Sequence, residues 1–234
     1  MIKKLHILLM AVALASACSA DPREPYSPWN SEPGEDDTPI VFLKETDNDA
    51  WDGLKGLEER FAACEVPVEV LNAKSTLALG LSILHYPLNS IMFAYNYWDM
   101  PVKLIYDRST LHRALAARND AARVLIDIFD RTKVSDGFSV PTSYEVISIW
   151  DEVFLELFLG TGLVPGLDSN SCKVRLKTIV SRKIAERKAG GSFSDNTLIP
   201  LAYMNERLGL GIKFDDNVVE LMHMFTLGDR LFNE

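Results

Sequence analysis

From Asn48 onward, apolar residues recur at steps of three and four, a period that admits helices and little else. The stretch 143–159 is the clearest. Val146, Ile147, Trp150, Val153, Phe154, Leu157 and Phe158 fall on one side, with Glu145, Asp151, Glu152 and Glu156 on the other. Pro141 with Thr142 or Ser143 predicts its start and Gly160 its stop, and the width of the apolar arc marks a central helix. The same period predicts helices over 49–63, 75–86, 88–96, 110–117, 120–131, 171–188, 197–208 and 216–232. Asn48, Ser75, Ser109, Asn119 and Asp215 stand where a side-chain oxygen would accept first-turn amide protons. Pro87, Gly160-Thr161-Gly162, Pro165-Gly166 and Gly190-Gly191 are the breaks.

No stretch alternates apolar and polar residues between turn dipeptides, so a β-sandwich is excluded. The expectation is an all-α, irregular multi-helix bundle with residues 48–234 as a single domain, preceded by a signal peptide and an extended acidic tether. A domain of about 185 residues buries roughly 70% of its unfolded surface and folds without disulfides. No repeat of fixed 30–45 residue period is present, which argues against a regular solenoid.

The first residues read differently. Lys3 and Lys4 precede an apolar core from Leu5 to Ala15, with small residues Ala15 and Ala17 at its end, as in an export signal over 1–17. The run is shorter than the roughly 20 apolar residues of a membrane span. Leu14-Ala15-Ser16-Ala17-Cys18 resembles the lipobox of bacterial lipoproteins. That resemblance implies cleavage before Cys18, a diacylglyceryl group on its thiol and an acyl chain such as palmitate on its new amino group. Two or more chains give stable anchoring where one does not. Ser19 after the cysteine resembles lipoproteins sorted to a bacterial outer membrane, with the periplasmic or surface face left open. A plain signal peptide with an accidental cysteine is the alternative.

Loss of Lys3 and Lys4 with the signal takes the formal net charge from −9 to −11. The acid is concentrated: Asp21 to Asp52 holds ten carboxylates against Arg23 and Lys44, leaving the remainder at a net of only −3. Pro22, Pro25, Pro28, Pro33 and Pro39 share that stretch, so residues 18–47 read as a lipid-anchored linker. Tyr26 and Trp29 could dock, and Ile40-Val41-Phe42-Leu43 is expected to pack on the body.

The segment 64–121 resembles a family of exported Bacteroidota lipoproteins. The matching residues are Cys64, Val66, Pro67, Leu71, Ser75, Thr76, Tyr86, Pro87, Tyr95, Asn96, Leu111, Arg118, Asp120 and Ala121. A Phe-Asn-Gly step of that pattern is replaced here by Tyr106-Asp107-Arg108. The resemblance implies a lineage and carries no catalytic residue across. Pro67 can start a helix, Ser75 cap one and Pro87 stop one, while an Arg118–Asp120 pair could fix a helix junction.

Candidate chemistry is sparse. Cys64 and Cys172 are either a disulfide, which export permits, or two buried thiols. Glu220 and His223 form a Glu-x-x-His pair, but a di-iron bundle needs a second pair, so no metal and no cofactor is expected; His223 is placed beside Met222 and Phe225 at the core edge. His112, among Arg108, Arg113 and Arg118, and His85 could be general bases only with a neighbouring nucleophile that the sequence does not supply. Gly209-Leu210-Gly211 and Gly160-Thr161-Gly162 lack the context of a phosphate loop.

The strongest local charge is +6 over 173–188. Lys173, Lys177, Arg182, Lys183, Arg187 and Lys188 form a candidate anion-contact face, with Leu176, Ile179, Val180 and Ile184 toward the core; a solvated helix face is the plainer reading. Its partners would be lipid head groups, an acidic glycan or the acidic tether, alongside an envelope protein as partner of the whole. The acidic balance and exported address exclude nucleic acid. The expected function is a non-enzymatic binding or accessory module held on the envelope through Cys18. A cell-surface hydrolase of glycans or peptides and an inhibitor or immunity lipoprotein are the alternatives.

Overall fold

The computed structural model describes residues 28–134, 146–190 and 195–228. Cys18 and the export signal lie outside them, as do Tyr26, the expected start at Pro141 to Ser143, and residues 229–232 of the last expected helix.

Among the described residues the fold is all-α. Twelve helices run in order: α1 Leu43–Thr46, α2 Asn48–Asp52, α3 Leu57–Ala63, α4 Val68–Ala73, α5 Thr76–Leu84, α6 Asp99–Arg108, α7 Thr110–Ala116, α8 Ala121–Arg131, α9 Ile149–Gly160, α10 Asn170–Gly190, α11 Ile199–Leu208 and α12 Asp216–Phe225. Two 3-10 turns, Asn89–Ala94 and Asp195–Leu198, complete the helical part. The only sheet among the described residues is a parallel pair of two-residue strands, β1 Lys133–Val134 and β2 Val146–Ile147. No described helix is long and apolar enough to cross a membrane.

Helix α9 is the axis of the bundle, packed against α5, α6, α8 and α11. Every residue from Glu152 to Gly160 is buried, and Phe154, Leu157 and Phe158 are among the most enclosed side chains. A Cβ on Gly160 would lie 2.7 Å from the Tyr203 ring, so the absence of a side chain lets α11 approach closely. The helix begins later than the period predicts. Ser148 accepts from the Asp151 amide at 3.2 Å, and Val146 and Ile147 pair with β1 instead of extending the helix.

Of the expected caps, Ser75 and Ser109 accept from Ala78 and His112 respectively. Asp47 takes the role expected of Asn48, and Asp120 that of Asn119, without a side-chain cap bond. The expected helix over 49–63 is divided at Gly53 to Gly56, where Gly56 takes φ 97°. Helix α6 lies beyond the expected set. Pro101 sits in its first turn, where a missing N–H costs nothing. The Asp99 carboxylate, fully buried, accepts from the amides of Leu227 and Gly228 at 2.8–3.0 Å and so ties the chain after α12 to the start of α6.

The segment 28–47, expected as a linker of which only Ile40-Val41-Phe42-Leu43 packs on the body, lies along the body from Pro28 on. Asn119 donates its amide to the Ser31 carbonyl, Gly34 donates to Lys74 and Asp36 to Ala73, and Ser75 donates back to Asp36. Phe42 is buried with its ring edge-on to Tyr86, while Ile40 and Leu43 pack against the core and Val41 points outward. Trp29 also packs on the core, with the Arg113 guanidinium 5.9 Å from its ring centre. Thus the acidic stretch docks because its backbone finds donors and acceptors at helix ends, a fit that composition alone does not disclose.

Candidate functional site

The densest chemistry is a fully buried cluster of four charges between α9 and α10. On α10, Leu176, Val180, Lys183 and Arg187 are all buried and follow one another at steps of four, three and four. Lys183 and Arg187 therefore occupy the same stripe as the apolar residues. On α9, Glu152 and Glu156 are one turn apart and face them.

Lys183 pairs with Glu152 and donates to the Thr132 carbonyl at 2.9 Å, its ammonium 4.7 Å from the Phe129 ring centre. Arg187 Nη2 lies 2.6 Å from both Glu152 Oε2 and Glu156 Oε1, and Nη1 lies 3.1 Å from Glu156 Oε2. Arg187 also donates to the Thr197 carbonyl. Two cations meet two anions, and the carboxylate oxygens are claimed by fixed donors. Burial raises the Glu156 carboxyl above the usual carboxylate range, Arg187 pulling against that shift and Glu152 adding to it.

These contacts correct two expectations. Glu152 and Glu156 belong to the interior, not a solvent face, and Trp150 is partly exposed instead. The anion-contact face loses Lys183 and Arg187 because their charges are consumed inside. Arg182 pairs with Asp130 at 2.7 Å and Lys188 with Asp215 at 2.8 Å on the surface, and Arg175 pairs with Asp127. Lys173 is half-buried and Lys177 exposed, so the face reduces to those two. The signal that marks Lys183 and Arg187 as interior is their register with Leu176 and Val180.

A second buried polar chain runs through the segment of the family resemblance. Tyr86 lies beside Cys64 with its ring edge-on to His112, and Ser109 Oγ lies 2.9 Å from His112 Nδ1. The edges of Tyr86, Phe154 and Phe158 enclose the imidazole at centroid distances of 4.8–5.7 Å. Burial drives His112 down to about 3 and pushes the Cys64 thiol up to about 12. A neutral imidazole and a protonated thiol sealed from solvent are structural groups. Neither offers a nucleophile to a substrate.

Other residues of that resemblance meet in the same region. Arg118 does not join Asp120 in the expected junction pair. Its guanidinium donates to the carbonyls of Leu71 at 2.8 Å and Lys74 at 3.1 Å, capping the end of α4, and to that of Glu32. Asp120 instead takes the Thr76 hydroxyl at 2.5 Å and Arg123 at 3.1 Å.

Cys64 and Cys172 are both free, Cys64 buried and Cys172 half-buried, so the bridged alternative falls. His223 is exposed, 3.5 Å from Glu206, rather than at the core edge. His85 is half-buried. Among the described residues, no three histidine, cysteine, aspartate or glutamate side chains gather around one point as a metal requires. Comparison with family models, curated proteins and solved structures finds no match.

Proposed function

We propose that the chain is a lipid-anchored envelope protein, in the lineage of the exported Bacteroidota lipoproteins it resembles, whose helical body is a non-enzymatic binding or accessory module. The observation that carries the second half is the closure of the Glu152–Glu156 pair. A glycosidase needs two carboxylates, one proton donor and one base or nucleophile, open to a sugar between them. Here both acids are buried and bonded to Lys183 and Arg187. His112 is likewise sealed by aromatic edges. With five cations of α10 committed to internal or surface pairs, an envelope protein suits the body better than an acidic glycan.

The anchor rests on Cys18 and the string before it. Cell fractionation of Cys18→Ala tests it: the variant moves to the soluble fraction with its body folded, whereas membrane pelleting after a salt wash rejects the lipid. Turnover of an envelope polymer by the purified protein, abolished by one substitution in its body, would replace the binding reading with the hydrolase.

A further inference from the structure

We infer that residues 28–41 form a detachable latch: the body carries a groove that recognises this acidic Gly-x-Asp segment, and docking sets how far the body stands from its anchor. The groove lies between the end of α4, the start of α5 and the turn before α8. Its chemistry is that of strand addition onto a helix end, where terminal carbonyls lack intrahelical donors. Gly34 N donates to Lys74 O at 3.0 Å, Asp36 N to Ala73 O at 3.1 Å, and Ser75 N to Asp36 O at 2.8 Å, with Asp36 and Lys74 forming a parallel bridge.

Two residues give the recognition its selectivity. A Cβ on Gly34 would lie 2.1 Å from the Ala73 carbonyl oxygen and 2.8 Å from that of Asn72, so no residue but glycine fits against this backbone. The Asp36 carboxylate meets Lys74 Nζ at 2.6 Å, and the same ammonium donates to Thr38. At the near end, the Asn72 side chain accepts from the Asn30 amide and donates to the Pro28 carbonyl, and Asn119 donates to Glu32.

The segment can leave without dismantling its dock. No side chain from 28 to 41 is buried, and Phe42 is the first that is, which puts the hinge at residues 41–42. The hydrogen bonds that hold the segment are replaceable by water, and its apolar contacts, Trp29 and Ile40, are only partly buried. Arg118 belongs to the body, because it also caps α4 through the Leu71 and Lys74 carbonyls, so the groove persists when the segment departs.

The consequence for reach rests on the lipid-anchor reading. Docked, about nine residues separate Cys18 from Pro28, spanning at most about 30 Å; undocked, about 23 residues precede Phe42 and span up to about 80 Å.

Amide hydrogen exchange on the full mature chain tests the dock in solution, independently of any membrane. Gly34→Ala accelerates exchange at residues 34, 36, 75 and 119 by at least about tenfold, while the amides of α9 keep wild-type protection. Asp36→Ala, which removes the Lys74 pair without adding bulk, accelerates the same set. A synthetic peptide of residues 28–41 restores slow exchange at Ser75 and Asn119 in the Gly34→Ala chain, and the same peptide carrying that substitution does not. Unchanged exchange in either variant, loss of protection throughout the body, or failure of the peptide to restore it overturns the latch. On vesicles, anchored Gly34→Ala shows lower energy transfer from its tryptophans to a headgroup acceptor than the wild type. Equal transfer overturns the effect on reach, whereas failure of the wild type to bind vesicles rejects the anchor alone.

Discussion

Arg187 grips Glu156 with both ends of its guanidinium, Nη2 at 2.6 Å from Oε1 and Nη1 at 3.1 Å from Oε2, across the interface of α9 and α10. The same Nη2 reaches Glu152 at 2.6 Å, so one guanidinium bridges two carboxylates that lie one helical turn apart in the core, and Lys183 supplies the second positive charge. Each of these side chains needs the others, because an unpaired charge in that position has no water to turn to.

Removing Arg187 therefore costs more than the cluster itself contributes. Arg187→Ala leaves two buried carboxylates with Lys183 alone and lowers unfolding stability by about 3–5 kcal/mol. Replacing all four together, Glu152→Leu, Glu156→Leu, Lys183→Met and Arg187→Met, removes the charges and costs less than the single change. Urea unfolding of the two variants checks this. A quadruple variant weaker than Arg187→Ala would show that the cluster is a net source of stability.

His112 sets an acid limb. The folded chain keeps the imidazole neutral until about pH 3, whereas the unfolded chain takes up the proton near 6.5. Between those values the unfolded state binds more protons, so this contribution is complete above pH 6.5 and declines as pH falls, by up to about 1.4 kcal/mol per unit. His112→Phe abolishes that dependence. Denaturant melts between pH 7 and pH 4 should show wild-type stability falling more steeply than that of the variant; parallel curves would mean that the buried imidazole accepts the proton without unfolding.

The two thiols differ in access. In a chain with Cys18 replaced, a thiol reagent titrates Cys172 promptly and reaches Cys64 only after denaturation, because Cys64 is buried against Tyr86 with its thiol held protonated. Non-reducing electrophoresis shows no intramolecular bridge. Two thiols of equal rate, or none, would contradict this.

Much of the backbone was legible in the residues. Ser75 and Ser109 cap the helices they precede, Gly209 ends α11 in the left-handed conformation, and the all-α class follows from period alone. These are short-range effects, since a cap or a glycine stop acts within one turn. What failed was the start of α9, where Val146 and Ile147 satisfy a helical pattern and yet pair with Lys133 and Val134. A two-residue strand pair joins segments distant in sequence, and no local period reports it.

By itself, then, the sequence determined the all-α class, the capped starts at Ser75 and Ser109, and that an acidic, proline-bearing segment precedes the body. Only the tertiary structure decided which charges leave water and whether that segment hangs free. The physical reason is the same for both. Periodicity orients a residue relative to its own helix, but Glu152 tolerates burial only because Lys183, 31 residues away, arrives opposite it. Asp36 is docked only because Lys74, 38 residues away, offers an ammonium and a helix end.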